Sequence, residues 1–171
     1  MQEQPSTARI ALKYGVITGV ASIVYNVILI ITEKNQNQAL SSLGLIILVV
    51  GMVYAMREFK TENAGYMSYG QGLGIGTLIS AISGLIGATF MMFYTQFIDT
   101  NFMQKTLDTA RGDMEQRGMS DAQIDGAMQF SEKMMSPGIM FATGVFFSIF
   151  IGFIISLIVA AILRRNKPVF E

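Results

Sequence analysis

Four long apolar stretches alternate with short polar ones along the chain. The first runs from Ile10 to about Ile31, interrupted only by Lys13 and a few uncharged polar residues. At roughly 1.5 Å per helical residue it can cross a hydrocarbon core of roughly 30 Å, so a transmembrane helix is expected over about 10–32. The run exceeds the apolar region of a signal peptide and ends in Thr32-Glu33-Lys34 without a small-x-small cleavage site, so it reads as a retained helix. Met1 to Ala8, polar and containing Pro5, reads as a short mobile tail. Beyond the polar link Glu33 to Gln38, the second and shortest run, Ala39 to Met56, predicts a helix over about 39–57. Arg57 to Ser68 reads as a charged, glycine-containing loop. The third and fourth runs predict spans over about 69–97 and 137–164. The start of the fourth is marked by Ser136 as a cap and by Pro137 where a missing N–H costs nothing. Pro5, Pro137 and Pro168 all lie at or beyond helix ends, so no span should carry a proline kink.

Small residues recur every fourth position in two of these runs. Gly72, Gly76, Ser80, Gly84 and Ala88 form one row, with Gly70 and Gly74 beginning a second beside it; Gly144, Ser148, Gly152, Ser156 and Ala160 form a row in the fourth run. Residues four apart stand one above another on a helix, so each row is a side-chain-poor groove into which another backbone can press. Because each step of four drifts about 40° around the helix, two such grooves meet most naturally in a right-handed crossing. Gly15 and Gly19 give the first helix one small pair, and Gly51 with Ala55 gives the second a weaker one. Contact between the third and fourth grooves within one chain is the favoured pairing, with homodimerisation its rival.

The only sizeable polar segment, 98–135, separates runs three and four. Met103, Leu107, Ala110 and Met114 follow the spacing of one helical face; Gly118 reads as a stop, and Ser120 with Gln123 has capping-box spacing for a further helix bearing Ile124, Met128 and Met135. Two short amphipathic helices are predicted, joined at Arg117 to Ser120.

Composition sharpens this picture. Hydrophobic residues make up 51% and charged ones 14% of 171 residues, with a mean hydropathy of +0.47; a soluble domain carries about 25% charged residues. Twelve Lys/Arg balance twelve Asp/Glu, so no net field favours nucleic acid. Cys and His are absent, which excludes disulfides, thiolate nucleophiles and Cys/His zinc sites. Four spans place both ends on one side, together with Arg9, Lys13, Arg57, Lys60, Arg164, Arg165 and Lys167. The other side holds Lys34, Lys105, Arg111, Arg117 and Lys133, spread along a longer loop. Basic residues near span ends favour the cytoplasm, so both termini are expected inside and 98–135 outside. Tyr14, Tyr54 and Tyr69 would then lie near the inner interface and Tyr94 near the outer one, with Tyr25 deeper.

Candidate chemistry is sparse. The stretch Gly70-Gln71-Gly72-Leu73-Gly74-Ile75-Gly76 fits no G-x-G-x-x-G phase, because Ile75, Thr77 and Ile79 occupy the third glycine's place; no G-K-[ST] follows. Tyr25 and Asn26 are the most polar groups deep in the first span and are candidates for a polar path, with interhelical or own-helix hydrogen bonding the simpler reading. No Asp, Glu, Lys, Arg or His falls in the middle of a span, which argues against an ion-coupled pump. Asp121 and Asp125, one helical turn apart, read as a solvated face rather than a catalytic pair. No cofactor, metal or catalytic residue is expected.

The pattern Leu12-Lys13-Tyr14-Gly15, then Ser68-Tyr69-Gly70-Gln71-Gly72, then Phe97-Ile98-Asp99 and the acidic segment, then Ile158 to Arg165, resembles a bacterial membrane-protein family catalogued as domain of unknown function 4199 and common in Bacteroidota. The resemblance implies an inner-membrane protein with four membrane helices, and transfers no active site. The expectation is therefore an all-α, single-domain integral membrane protein with a helical insertion at 98–135. Its expected role is non-enzymatic, as a scaffold or accessory partner in an envelope complex, bound to the lipid bilayer and to another envelope protein or a second copy of itself. The alternative is a small lipid or solute translocator acting as a dimer.

Overall fold

The computed structural model describes residues 5–35 and 37–167. These residues form six α-helices: α1 (Thr7–Ile31), α2 (Gln38–Glu62), α3 (Tyr69–Phe93), α4 (Phe102–Gln116), α5 (Asp121–Met134) and α6 (Pro137–Leu163). A π-helical turn, Tyr94–Ile98, extends α3. Four helical stretches, Thr7–Ile31, Gln38–Glu62, Tyr69–Ile98 and Pro137–Leu163, are long and apolar enough to cross a membrane. Met1 to Gln4 of the expected tail, and Pro168, lie outside the described residues.

The helix ends refine the expected boundaries, each for a local reason. The expected tail overlaps a helix: α1 begins at Thr7 because Ser6 caps it, its Oγ accepting from the Arg9 N–H at 3.3 Å. The largest difference is in α2, which continues through Glu62 where a loop from Arg57 was expected. Met52, Ala55, Met56 and Phe59 keep the 3-4 spacing of a buried face, so burial carries the helix past the charged residues that read as a loop. The connection to α3 is therefore short, and α3 starts with a reciprocal box. The Ser68 N–H donates to Gln71 Oε1 at 2.8 Å, and the Gln71 N–H donates to Ser68 Oγ at 3.2 Å. α6 begins at Pro137 as its sequence predicts.

The chain folds as two compact units: residues up to 87 together with those from 145 on, and residues 88–144. The first unit holds the main buried cluster, which includes Ile10, Ala11, Met52, Met56, Phe59, Met67, Ile75, Ile79 and Val159. Methionines fill space left by glycines. The Met56 methyl lies 3.3 Å from where a Cβ on Gly76 would stand, and that of Met67 lies 3.0 Å from the same point on Gly72. The outward faces of α1 and α6 are aliphatic and aromatic: Leu12, Val16, Val20 and Val24 on one, Phe146, Phe150, Ile158 and Ile162 on the other, with Ile162 74% exposed. Soluble proteins rarely leave apolar surface of this extent uncovered; a lipid-facing helix does so by necessity.

The second unit carries α4 and α5. They are joined at Gly118, whose φ of +73° suits a residue without Cβ. The Met119 N–H reaches Met114 O at 3.2 Å and the Gly118 N–H reaches Glu115 O at 2.9 Å, closing the last turn of α4. Leu107 and Ile124 are the buried apolar positions of this pair.

Candidate functional site

The small-residue rows of α3 and α6 face each other in the first unit. Gly72 lies against Ala160, Gly76 against Ser156, Ser80 against Gly152, and Gly84 against Ser148. Each step of four up one helix is matched by a step of four down the other, and every pair contains one glycine. A Cβ added at Gly72 would stand 2.9 Å from that of Ala160, and one at Gly76 would stand 2.7 Å from that of Ser156. In the second unit Gly144 continues the spacing, its Cβ position 3.8 Å from Ala88. The parallel row does not take part: Gly70 and Gly74 have nothing within 4 Å of an added Cβ.

The hydroxyls of this seam are fully engaged. Ser148 Oγ donates across it to Ser80 O at 2.8 Å, and Ser156 Oγ donates to Leu73 O at 3.2 Å. Ser80 Oγ turns back to Gly76 O of its own helix at 3.0 Å. Ser80 and Ser156 are 0% exposed. Ser148 and Ser156 thus bind the two helices together, and none of the three hydroxyls is left unsatisfied in hydrocarbon.

Gly15 and Gly19 press α1 onto α3. Added Cβ atoms would stand 2.7 Å from Ile82 Cβ and 3.2 Å from Ile86 Cβ respectively. Gly51 of α2 meets the Thr18 side chain of α1. Tyr25 and Asn26 are not brought together. The Tyr25 hydroxyl donates to Leu40 O at 2.7 Å, tying α1 to the start of α2, while Asn26 is exposed and its Nδ2 donates to Ser22 O of its own helix at 2.9 Å.

A polar belt closes one end of the first unit. Lys13 Nζ meets Glu58 Oε2 at 2.7 Å, the Tyr14 hydroxyl donates to the same oxygen at 2.8 Å, and Arg9 pairs with Glu62 at 3.3 Å. Lys60 Nζ donates to Leu163 O at 3.1 Å, at the carbonyl end of α6. Met67 and Arg165 form an antiparallel bridge, with N–H to O distances of 2.8 and 2.9 Å. Glu58 falls in the stretch whose charge reads as loop in the sequence, and it joins the belt only because α2 continues through it. Its signal was Phe59, which extends the buried face of α2 by one more turn.

In the second unit the groove between α4 and α5 is lined by Gln104, Asp108, Asp125, Gln129 and Glu132, with Arg111 among them. Arg111 bridges the helices to Asp125 at 3.0 Å and also lies 3.6 Å from Glu115. Lys105 reaches back to Asp99 at 3.2 Å. Asp121, its expected neighbour Asp125 notwithstanding, is exposed at the first position of α5.

Four long apolar helices with lipid-suited outer faces make this a multi-pass membrane protein. Residues 13–165 match the family described as "Protein of unknown function (DUF4199)", and the chain belongs to that family. No curated protein and no solved structure matches it significantly.

Proposed function

We propose that the protein is a non-enzymatic scaffold or accessory partner of an envelope complex in the bacterial inner membrane. In this reading the four spans form a four-helix bundle, both termini face the cytoplasm, and 98–135 meets its partner on the outer side. The observation that carries the reading is a contrast in how polar groups are used. Ser148 and Ser156 donate to carbonyls of α3 and Tyr25 to one of α2, while Ser80 and Asn26 donate to carbonyls of their own helices, so these donors are spent on backbone rather than left for a ligand. The α4–α5 groove instead carries an excess of negative charge, three carboxylates against one Arg111: Asp125 is paired with Arg111 and Asp108 accepts from Gln104 Nε2, and Glu132 adds a third carboxylate. Its complement is a partner surface rich in Lys or Arg. The orientation draws support from the basic residues Arg9, Lys13, Lys60 and Arg165, which all contribute to the polar belt at one end of the first unit.

The translocator alternative drew on Tyr25 and Asn26 as a path, and their engagement with carbonyls weighs against it. A photo-cross-linking residue at Gln129, compared with one at lipid-facing Ile162, separates the two in cells. A scaffold gives a discrete protein adduct from position 129 that weakens in the double variant Asp108→Asn/Glu132→Gln. Adducts to lipid alone from both positions, with solute or lipid flux in proteoliposomes that Asn26→Leu abolishes, would overturn it.

A further inference from the structure

The geometry points to a binding site for a phosphate-bearing anion at the belt end of the first unit, in the recess between the carboxyl end of α2, the amino end of α3 and the segment after α6. The recess is lined by Asn63, Ser68, Gln71, Arg165, Asn166 and Lys167, with Tyr66 and Met67 behind them, and none of these residues is acidic. Its shape is built by backbone. The Met67–Arg165 bridge lays the chain leaving α6 alongside the turn before α3, and Asn63 Nδ2 holds that turn through Tyr66 O at 2.8 Å. The Arg165 guanidinium then lies over the Tyr66 ring, 5.5 Å from its centroid. Among the described residues, the carboxylates of this unit's belt are taken by Arg9 and Lys13, and neither Arg165 nor Lys167 has an acidic partner. Gln71 spends its carbonyl on the Ser68 N–H, which leaves its amide N–H₂ as a donor.

The recess therefore presents two cations and several donors, a set that matches phosphate oxygens and stacks the guanidinium for bidentate contact. It sits at the ends of three membrane-length helices, the level at which tyrosines settle and lipid phosphates lie. The phosphate can come from an anionic lipid headgroup or from a soluble phosphate compound. The site stands independently of whether 98–135 binds a partner.

Three proteins test it: the wild type, Arg165→Gln/Lys167→Gln, and Arg57→Gln/Arg164→Gln, which removes the same charge from exposed positions outside the recess. Only the side chain of Arg165 changes, so the bridge to Met67 is kept. Each is purified in mixed micelles containing phosphatidylglycerol and phosphatidylcholine, and retained lipid is counted by native mass spectrometry; thermal unfolding is followed separately with inorganic phosphate in lipid-free detergent. A lipid source gives selective phosphatidylglycerol retention by the wild type and Arg57→Gln/Arg164→Gln, weakened about tenfold or more in Arg165→Gln/Lys167→Gln. A soluble source gives a rise in melting midpoint with inorganic phosphate in the first two proteins only. Equal responses from all three proteins in both assays, or no response from any, overturn the site.

Discussion

A single methyl group is enough to probe the α3–α6 seam. At Gly76 and Gly152 an added Cβ runs into the Ser156 and Ser80 side chains, on positions with no exposed surface to absorb the shift. At Gly74, on the same helix as Gly76 but outside the seam, it meets nothing within 4 Å. Gly76→Ala and Gly152→Ala should each cost about 1–3 kcal/mol through overpacking. Gly74→Ala should be neutral or stabilising by up to about 1 kcal/mol from helix propensity. Melting midpoints in a mild detergent check this; equal losses at all three positions would mean that the α3–α6 face is not the one that packs. The two rows were legible in the sequence; their register was not, and the structure supplies it. Of the antiparallel alignments four residues apart, the observed one sets a single glycine in every pair, whereas a shift by four would set Ser80 against Ser148. What could not be read was that Gly70 and Gly74 have no neighbour, because a groove looks the same in sequence whether or not another helix fills it.

At the scale of elements, ends were harder to read than middles. The spans follow from apolar length alone, which is set by the thickness of the bilayer. The end of α2 follows from tertiary contact: Arg57, Glu58 and Lys60 read as loop until Phe59 is seen buried beneath them and Glu58 is seen between Lys13 and Tyr14. The α4–α5 connection shows the opposite case, where local chemistry suffices. Gly118 occupies the left-handed region at φ +73° and lets the Met119 N–H close the final turn of α4. Gly118→Ala forces a Cβ into that region at a cost of about 1–2 kcal/mol, which should loosen the helical pair without unfolding the spans. Hydrogen exchange would then rise over residues 114–124 and stay unchanged over 72–84. An unaltered exchange rate at 114–124 would show that the turn does not hold α4 and α5 together. The capping box expected at Ser120 has its reciprocal contact, the Ser120 N–H donating to Gln123 Oε1 at 3.0 Å, so the start of α5 is fixed independently of that turn.

For the whole molecule the decisive property is orientation, because the belt, the phosphate recess and the α4–α5 groove acquire meaning only when each is assigned to a side of the membrane. The chain contains no cysteine, so single cysteines report position without background. Thr61 is exposed in the last turn of α2, beside the belt formed by Arg9, Glu62, Lys13 and Glu58. Gly112 lies in α4 with nothing within 4 Å of an added Cβ, so a cysteine there disturbs no neighbour. Along the chain one span, α3, separates the end of α2 from α4, so the two positions should lie on opposite sides. A membrane-impermeant maleimide added to cells with a permeable outer membrane should label Gly112→Cys at once and Thr61→Cys only after the inner membrane is opened. The reverse order would invert the protein, handing the acidic groove to the cytoplasm and the cationic recess to the outer leaflet. Labelling of both from one side would remove a span, and with it the assignment of four crossings. The asymmetry of charge makes the first outcome the expected one. Lys and Arg near span ends resist translocation while Asp and Glu contribute little, and Arg9, Lys13, Arg57, Lys60, Arg164 and Arg165 stand within a few residues of the ends of α1, α2 and α6.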